Sequence, residues 1–253
     1  MDMRELTKIA GKNGVPLAIV EKDFALSIVL CTIAESELKN SSVFKGGTAI
    51  KKVYFSKARF SEDLDFTVIE GKIDDLEKAV RALFTDFKKD GINITGVEHE
   101  KSLAGLRMAL KFTGPLNHPQ RIRLDFSFRE APAVQVKEEI IIDEYNLGKH
   151  TLKSLCLEEI LAEKFRAISS RTAPRDLYDI WFLFNNGVKI NHQLVEKKFE
   201  IYNEKFDVQL VEKRMDALKE HWRTDLQQFI KTVPTFETVE NEVMKRMQKE
   251  FAK

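Results

Sequence analysis

The fold is decided by two neighbouring stretches, FKGGTAIKK at residues 44–52 and RFSEDLDF at residues 59–66. In the second stretch, apolar residues alternate with Asp63 and Asp65, which predicts a strand carrying both carboxylates on one face. Carboxylates held side by side repel each other and raise each other's pKa, and a divalent cation between them relieves that repulsion. The pair therefore predicts a divalent metal site.

A glycine turn precedes these carboxylates. Gly46 and Gly47 allow backbone N–H groups to approach phosphate oxygens, and the hydroxyl of Thr48 is a further donor. Each motif alone is weak, because a Gly-Gly pair is usually a turn and a lone Asp-x-Asp is usually a strand end or a structural ion site. The two together, in this order, predict a site for nucleotidyl transfer, where metal-binding carboxylates lie beside a phosphate cradle.

Three basic residues lie near the glycine turn. Residues 49–55 are predicted to form a brief helix that carries Lys51 and Lys52, and Arg59 follows it. A helix that begins after a glycine turn is a natural anion site, so these cations are candidates for contacts with triphosphate oxygens. The alternative is that they are exposed surface charges, and the sequence leaves both interpretations open.

A third carboxylate is predicted on a strand at residues 120–128. Its apolar residues alternate with Arg121, Arg123 and Asp125. Strands with one solvated face often show this pattern, so the alternation by itself proves little. If this strand neighbours the strand of Asp63, Asp125 becomes a further metal ligand or the base toward the attacking hydroxyl.

Composition describes an ordinary soluble protein. The chain has 253 residues, of which 43% are hydrophobic and 32% charged, and its formal net charge is +1. Such a balance does not make the whole chain an electrostatic trap for nucleic acid. The first residues lack signal-peptide character and the apolar run at residues 25–33 is too short to span a bilayer. We therefore expect a cytoplasmic protein with no membrane partner.

The pattern of elements predicts an α+β fold in two domains. After residue 155 glycine almost disappears and helical periodicity continues, which predicts a domain at residues 1–150 and a helical domain at residues 151–253. Helices are predicted at residues 2–11, 16–38, 49–55, 73–89, 154–170, 174–184, 191–203, 207–230 and 235–251, and strands at residues 42–45, 63–69, 93–100, 103–112, 120–128 and 134–142. A break near His221 is the alternative for the helix at 207–230.

Two charged segments are interpreted as solvated helix faces. The first is Glu21-Lys22-Asp23, near the start of the second helix. The second is a set of basic residues mixed with glutamates in the last helices, for which a shallow RNA-binding surface is the alternative. Its members are Lys197, Lys198, Lys205, Lys213, Arg214, Lys219 and Arg223.

Six short motifs occur in a particular order along the chain. They are EKD at 21–23, FKGGT at 44–48, RFSEDLDF at 59–66, LD at 124–125, EKFR at 163–166 and PRDLYD at 174–179. On these motifs the chain resembles the AbiEii/AbiGii toxin family of the nucleotidyltransferase superfamily, toxins of bacterial toxin–antitoxin and phage-defence systems. The resemblance implies a polymerase-β-like nucleotidyltransferase domain, a mixed sheet with helices, followed by a C-terminal helical bundle. It also implies a cognate antitoxin as partner.

The chemistry implied by this resemblance is metal-dependent transfer of a nucleoside monophosphate from a nucleoside triphosphate to an acceptor. In some similar toxins the acceptor is the 3′ end of tRNA. The metal is Mg²⁺, with Mn²⁺ as the alternative. The resemblance assigns Asp63 and Asp65 to the metal and Ser61 to a place beside it.

Further site residues are implied in the helical half. Lys164 is a candidate contact to triphosphate oxygens, and Arg175 is a candidate nucleotide-binding residue. Asp176 is expected to position either Lys164 or Arg175. In this hypothesis the sheet holds the metal and the triphosphate, and the helical half closes over them.

Two other functions compete with this interpretation. A metal-dependent glycosyltransferase could use Asp63-Leu64-Asp65 on a nucleotide sugar, although the upstream glycine turn argues against it. A non-catalytic protein could bind only a nucleotide or an antitoxin, although an inactive protein would be free to lose the carboxylate pair. We therefore expect an active nucleotidyltransferase.

Overall fold

A computed structural model describes residues 1–252 as a mixed α+β structure. The strands are β1 Ser42–Lys45, β2 Asp63–Val68, β3 Lys88–Lys89, β4 Ile92–Ser102, β5 Gly105–Thr113, β6 Gln120–Ser127, β7 Lys137–Ile140 and β8 Thr151–Ser154. The helices are α1 Met3–Asn13, α2 Leu17–Ala34, α3 Leu38–Ser41, α4 Gly46–Ala49, α5 Ile73–Phe84, α6 Leu157–Ser170, α7 Pro174–Asn185, α8 His192–Glu200, α9 Val208–Glu212, α10 Met215–Leu226 and α11 Phe236–Phe251. A π-helical segment, Ile50–Tyr54, follows α4.

The chain divides into two compact units. The N-terminal unit, Met1–Leu155, carries the strands and α1–α5, and the C-terminal unit begins at Cys156 and carries α6–α11. None of the helices within residues 1–252 is both long and apolar enough to cross a membrane.

The sheet of the N-terminal unit is mixed and has the strand order β3-β4-β5-β6-β2-β1-β8-β7. The strand β2 lies between β1, which is antiparallel to it, and β6, which is parallel to it. The strands β4, β5 and β6 form an antiparallel meander, with a register irregularity between Ile94 and Gly96. The two strands predicted to carry carboxylates are therefore neighbours.

One face of this sheet is buried beneath α2 and α5. The apolar residues of β2 and β6 enter this layer, where the rings of Phe66 and Phe126 stack with centroids 5.1 Å apart. Phe44 of β1 packs on Phe66, and the centroids of these two rings are 5.3 Å apart. The helix α2 is apolar on nearly all sides, as expected for a helix enclosed in a core. The opposite sides of β5 and β6 carry exposed polar residues.

Several predicted boundaries were wrong. The first helix ends at Asn13, because Gly14 at φ +61° accepts the left-handed conformation and donates its N–H to Ala10. The helix predicted at 73–89 ends at Phe84, and Lys88–Lys89 pairs with β4 instead. The long helix predicted at 207–230 is divided into α9 and α10. The short strand β8 was not predicted.

Candidate active site

The predicted metal carboxylates lie on the central strand β2. Asp63 and Asp65 are partly exposed, whereas Leu64 and Phe66 are buried, so both acids lie on the same face of the sheet. Lys45, the last residue of β1, pairs in register with Asp65. The turn that follows β1 therefore begins directly beside the second carboxylate.

Gly46 lies against the carboxylate of Asp65. Its φ of +78° lies in the left-handed region, and a Cβ added there would overlap the Oδ2 atom of Asp65. Glycine is thus required both by the backbone conformation and by the close approach. The hydroxyl of Thr48, which is buried, donates a hydrogen bond to the backbone carbonyl of Asp63. These two contacts connect the glycine turn with the acid pair.

Asp125 shares this face of the sheet. In the parallel pairing of β2 with β6, Asp65 lies opposite Asp125, and Asp63 lies opposite Arg123. The Oδ1 atom of Asp125 accepts a hydrogen bond of 2.8 Å from the Nε atom of Arg107 on β5, and this contact raises the pKa of Arg107. The strand of Asp125 is thus a neighbour of the strand of Asp63, which is the condition for a third carboxylate at the site. The role of Asp125 as a metal ligand or base stays a prediction.

The acid pair suits a small hard cation. Mg²⁺ is commonly held by one or two carboxylates together with substrate phosphates and water, and rarely by a cage made only of protein. Asp63 and Asp65 supply two carboxylates, and the Asp65 carboxylate lies against the backbone of Gly46 at the start of α4. Within residues 1–252 no group of three or more His, Cys, Asp or Glu side chains is arranged to hold a metal ion. The residues present fit Mg²⁺ with the acid pair as its protein ligands.

The basic residues near the glycine turn are buried. Lys51, Lys52 and Arg59 are 2%, 0% and 5% exposed, so the interpretation as exposed surface charges is wrong. The ammonium of Lys51 donates to the Oε1 atom of Glu144 at 3.1 Å and lies 4.5 Å from the ring centroid of Phe60. Ser61 is also buried, at 9% exposure. Contacts of Lys51, Arg59 and Ser61 with a nucleotide stay predictions.

The interpretation of the Glu21-Lys22-Asp23 segment as a solvated face was also wrong. Glu21 and Asp23 are fully buried, and each contacts a different part of the N-terminal unit. The carboxylate of Glu21 accepts hydrogen bonds from the backbone N–H of Leu116 at 2.6 Å and from Gln120 at 2.5 Å. These contacts fix the turn between β5 and β6.

Lys22 and Asp23 extend this set of contacts. Lys22 forms an ion pair of 2.9 Å with Glu62, the residue before Asp63. The Oδ2 atom of Asp23 accepts hydrogen bonds from the ammonium of Lys52 at 2.6 Å and from the hydroxyl of Tyr145 at 2.5 Å. The start of α2 is therefore a buried polar support for the site.

In the C-terminal unit, a buried lysine lies between two aspartates. The ammonium of Lys164 on α6 is 2.8 Å from Asp176 and 2.7 Å from Asp179, both on α7. Arg171 also donates to Asp176 at 2.8 Å. Burial would raise the pKa of Asp176, but the charges of Lys164 and Arg171 outweigh it and hold that pKa well below its usual range.

This cluster contains two residues that were not among those predicted from the sequence. Asp176 contacts Lys164, as a positioning role requires, while the guanidinium of Arg175 lies 5.2 Å from the ring centroid of Phe229. Asp179 and Arg171 were not predicted as site residues. The i, i+3 spacing of Asp176 and Asp179 was the available signal, because it places both on one helix face.

The second prediction of a solvated face was wrong for Lys198. It is 1% exposed, and its ammonium lies 2.8 Å from Glu159 and 3.0 Å from Glu163. The other basic residues of that set are exposed or half-buried. An RNA-binding role for them stays a prediction.

Comparisons with known proteins give a consistent picture. Residues 28–246 match the profile of the family described as nucleotidyl transferase AbiEii toxin, type IV toxin–antitoxin system. The fold is similar to that of MenT4, a nucleotidyltransferase toxin from Mycobacterium tuberculosis, with 21% identity, 97% of this chain and 88% of that chain covered, and a TM-score of 0.78. No curated protein matches the chain significantly.

A more distant structure is an antigenic nucleotidyltransferase-like protein from Paracoccidioides brasiliensis. It is 16% identical, with 84% of this chain and 94% of that chain covered, and its TM-score is 0.46.

Proposed function

Because the chain belongs to the AbiEii family of nucleotidyltransferase toxins of type IV toxin–antitoxin systems, we propose that it transfers a nucleoside monophosphate to an RNA acceptor, such as the 3′ end of a tRNA, with Mg²⁺. The enzyme class predicted from the sequence is confirmed, and the glycosyltransferase and non-catalytic alternatives are set aside. A nucleoside triphosphate as substrate and an antitoxin as partner follow from this membership.

The observation that carries the proposal is the contact between the glycine turn and the acid pair. Gly46 lies against Asp65 and Thr48 is tied to Asp63, so a triphosphate on the turn would have its reacting phosphate beside both carboxylates. Asp63 and Asp65 would hold Mg²⁺, which when bound would neutralise charge on the phosphate oxygens. The backbone N–H groups of residues 46–48 would bind the oxygens of the leaving pyrophosphate.

The remaining residues have supporting roles in this proposal. Asp125 is proposed as a further metal ligand or as the base toward the acceptor hydroxyl. Lys51, Arg59 and Ser61 are proposed to support the nucleotide from the N-terminal unit. Lys164 and Arg175 are proposed to contact the triphosphate, with Asp176 positioning Lys164. We infer that the N-terminal unit is a polymerase-β-like domain and that α6–α11 form a helical bundle.

A labelling experiment tests the proposal. The protein is incubated with each labelled nucleoside triphosphate and total bacterial RNA, in Mg²⁺ and in EDTA. We expect label on RNA of tRNA size in Mg²⁺ and none in EDTA. Label on protein alone, or label on RNA that persists in EDTA, would contradict the proposed acceptor or the proposed metal dependence respectively.

A substitution at Gly46 tests the link between the turn and the carboxylates. We expect Gly46→Ala to lower the transfer rate about a hundredfold, because the new methyl group must displace the Asp65 carboxylate, and a displacement near 1 Å is enough for such a loss. The control is Gly71→Ala. Gly71 has φ +104°, but nothing lies within 4 Å of an added Cβ. Equal activity of the two variants would show that the close approach to Asp65 is unimportant.

A further inference from the structure

The exposed face of β5 and β6 continues the face that carries the metal carboxylates. Arg107 and Lys111 on β5 and Arg121 and Arg123 on β6 are exposed, whereas the residues that alternate with them are buried. We call these four residues with Asp125 the acceptor face. It lies beside β2 in the sheet, because β6 is the parallel neighbour of β2.

Arg123 differs from the other cations of the acceptor face. Arg107 is paired with Asp125 and Glu100, and Arg121 is paired with Glu98. Within residues 1–252, the guanidinium of Arg123 has no hydrogen-bond, ion-pair or ring partner. An arginine with five unused donors in a rigid fork is suited to bind a phosphate group.

The position of Arg123 is next to the reacting centre. It lies in register with Asp63 on β2 and with Ala109 on β5. Ala109 has a small side chain that carries no charge to pair with the arginine. A ligand phosphate bound by Arg123 would therefore lie close to the group that Asp63 and Asp65 bind.

The order of strands indicates whether Arg123 would bind a phosphate of the triphosphate or a phosphate of the acceptor. The glycine turn follows β1 on one side of β2, and Arg123 lies on β6 on the other side. In-line displacement at a phosphorus atom places the attacking and leaving oxygens on opposite sides. If the leaving pyrophosphate lies on the glycine turn, the attacking hydroxyl enters from the side of β6. The acceptor, and not the triphosphate, then passes over Arg123.

We propose that Arg123 binds a backbone phosphate of the acceptor RNA close to its reacting hydroxyl, and that the acceptor face carries this end of the strand. The proposal rests on the proposed function, because it assumes an RNA acceptor. It adds a substrate contact on a residue outside the metal and triphosphate site. Arg123 acts in binding and takes no part in the transfer of protons or of the nucleotidyl group.

The test compares Arg123→Gln with wild type and with Arg4→Gln, which removes the same charge from an exposed position on α1. Binding of purified bacterial tRNA is measured by fluorescence anisotropy in EDTA at several salt concentrations. We expect Arg123→Gln to raise the Kd about tenfold and to lower the salt slope by about 0.7 to 0.9. Arg4→Gln should match wild type, and Arg123→Lys should recover part of the loss.

Transfer kinetics separate acceptor binding from nucleotide binding. We expect Arg123→Gln to raise the KM for RNA while the KM for the nucleoside triphosphate and the thermal unfolding midpoint stay unchanged. A raised KM for the triphosphate with unchanged RNA binding would overturn the proposal. An Arg123→Gln variant that binds and labels RNA like wild type would also overturn the proposal. That outcome would leave the proposed function intact. Wild-type protein that labels only protein would instead end both the proposed acceptor and this inference.

Discussion

Replacement of Asp63 with alanine is expected to lower the rate of nucleotide transfer by at least about a thousandfold and to abolish growth inhibition. A metal that stabilises transition-state charge contributes several kcal/mol, and about 1.4 kcal/mol corresponds to a tenfold change in rate. Asp63 is one of two carboxylates that the strand β2 presents on the face beside the glycine turn. Asp65→Ala is expected to have an effect of the same order.

The matched control is Asp75→Ala, which removes an exposed carboxylate from the first turn of α5. All three variants should unfold at denaturant concentrations close to that of wild type, while only Asp63→Ala and Asp65→Ala lose labelling of RNA. An Asp63→Ala variant that retains transfer within tenfold of wild type would remove the acid pair from the mechanism. Toxicity that depends on Asp63 without any labelling of RNA would point to a different acceptor.

The second large effect is expected on stability. Lys52→Met should lower the free energy of unfolding by about 3 to 5 kcal/mol, because it leaves the charge of Asp23 buried without its cation. Asp23 is fully buried and its Oδ1 atom has no hydrogen-bond partner. Its Oδ2 atom would keep only the hydroxyl of Tyr145, whose pKa is raised by burial and by the charge of Asp23.

Urea unfolding followed by far-UV circular dichroism measures this effect. Lys57→Met is the control, because Lys57 is exposed in the same stretch of chain, and it should change stability by no more than about 0.5 kcal/mol. The double variant Asp23→Leu/Lys52→Met should be more stable than Lys52→Met alone, since it removes both charges. A double variant less stable than the single one would contradict a penalty for the unpaired charge of Asp23 and would show that Asp23 stabilises the fold through other contacts, such as its hydrogen bond from Tyr145.

The alternation of apolar and acidic residues was enough to predict the strand β2 and the common face of Asp63 and Asp65. The same period predicted β6, and the parallel pairing of Asp65 with Asp125 met the condition set for a third carboxylate. The family was identified from motif order, and the match over residues 28–246 confirms it. These features follow from local periodicity and from short motifs, both of which a single sequence contains.

Burial of charged residues could not be predicted in this way. Glu21, Asp23, Lys52 and Lys198 look like solvated charges in their own segments, yet each is almost fully enclosed. A charge is buried only where a counter-charge or hydrogen-bond donor meets it, and such partners are distant in sequence. Asp23 and Tyr145 are 122 positions apart, so only the folded chain shows their contact.

Short strands were missed for a related reason. The strands β3 and β8 have two and four residues, too few to show a period of two, and they exist because a neighbouring strand pairs with them. The glycine at position 46 was predicted to make room for phosphate. An added Cβ there would first meet the carboxylate of Asp65, a close approach that depends on the antiparallel register of β1 and β2.

A crystal structure with Mn²⁺ and a non-hydrolysable nucleoside triphosphate tests the central claim most directly. The anomalous signal of manganese locates the metal independently of the protein atoms. We expect a peak within coordination distance of the carboxylates of Asp63 and Asp65, with the outer phosphates against the backbone of Gly46 and Gly47. A metal and triphosphate bound away from both the acid pair and the glycine turn would contradict the account.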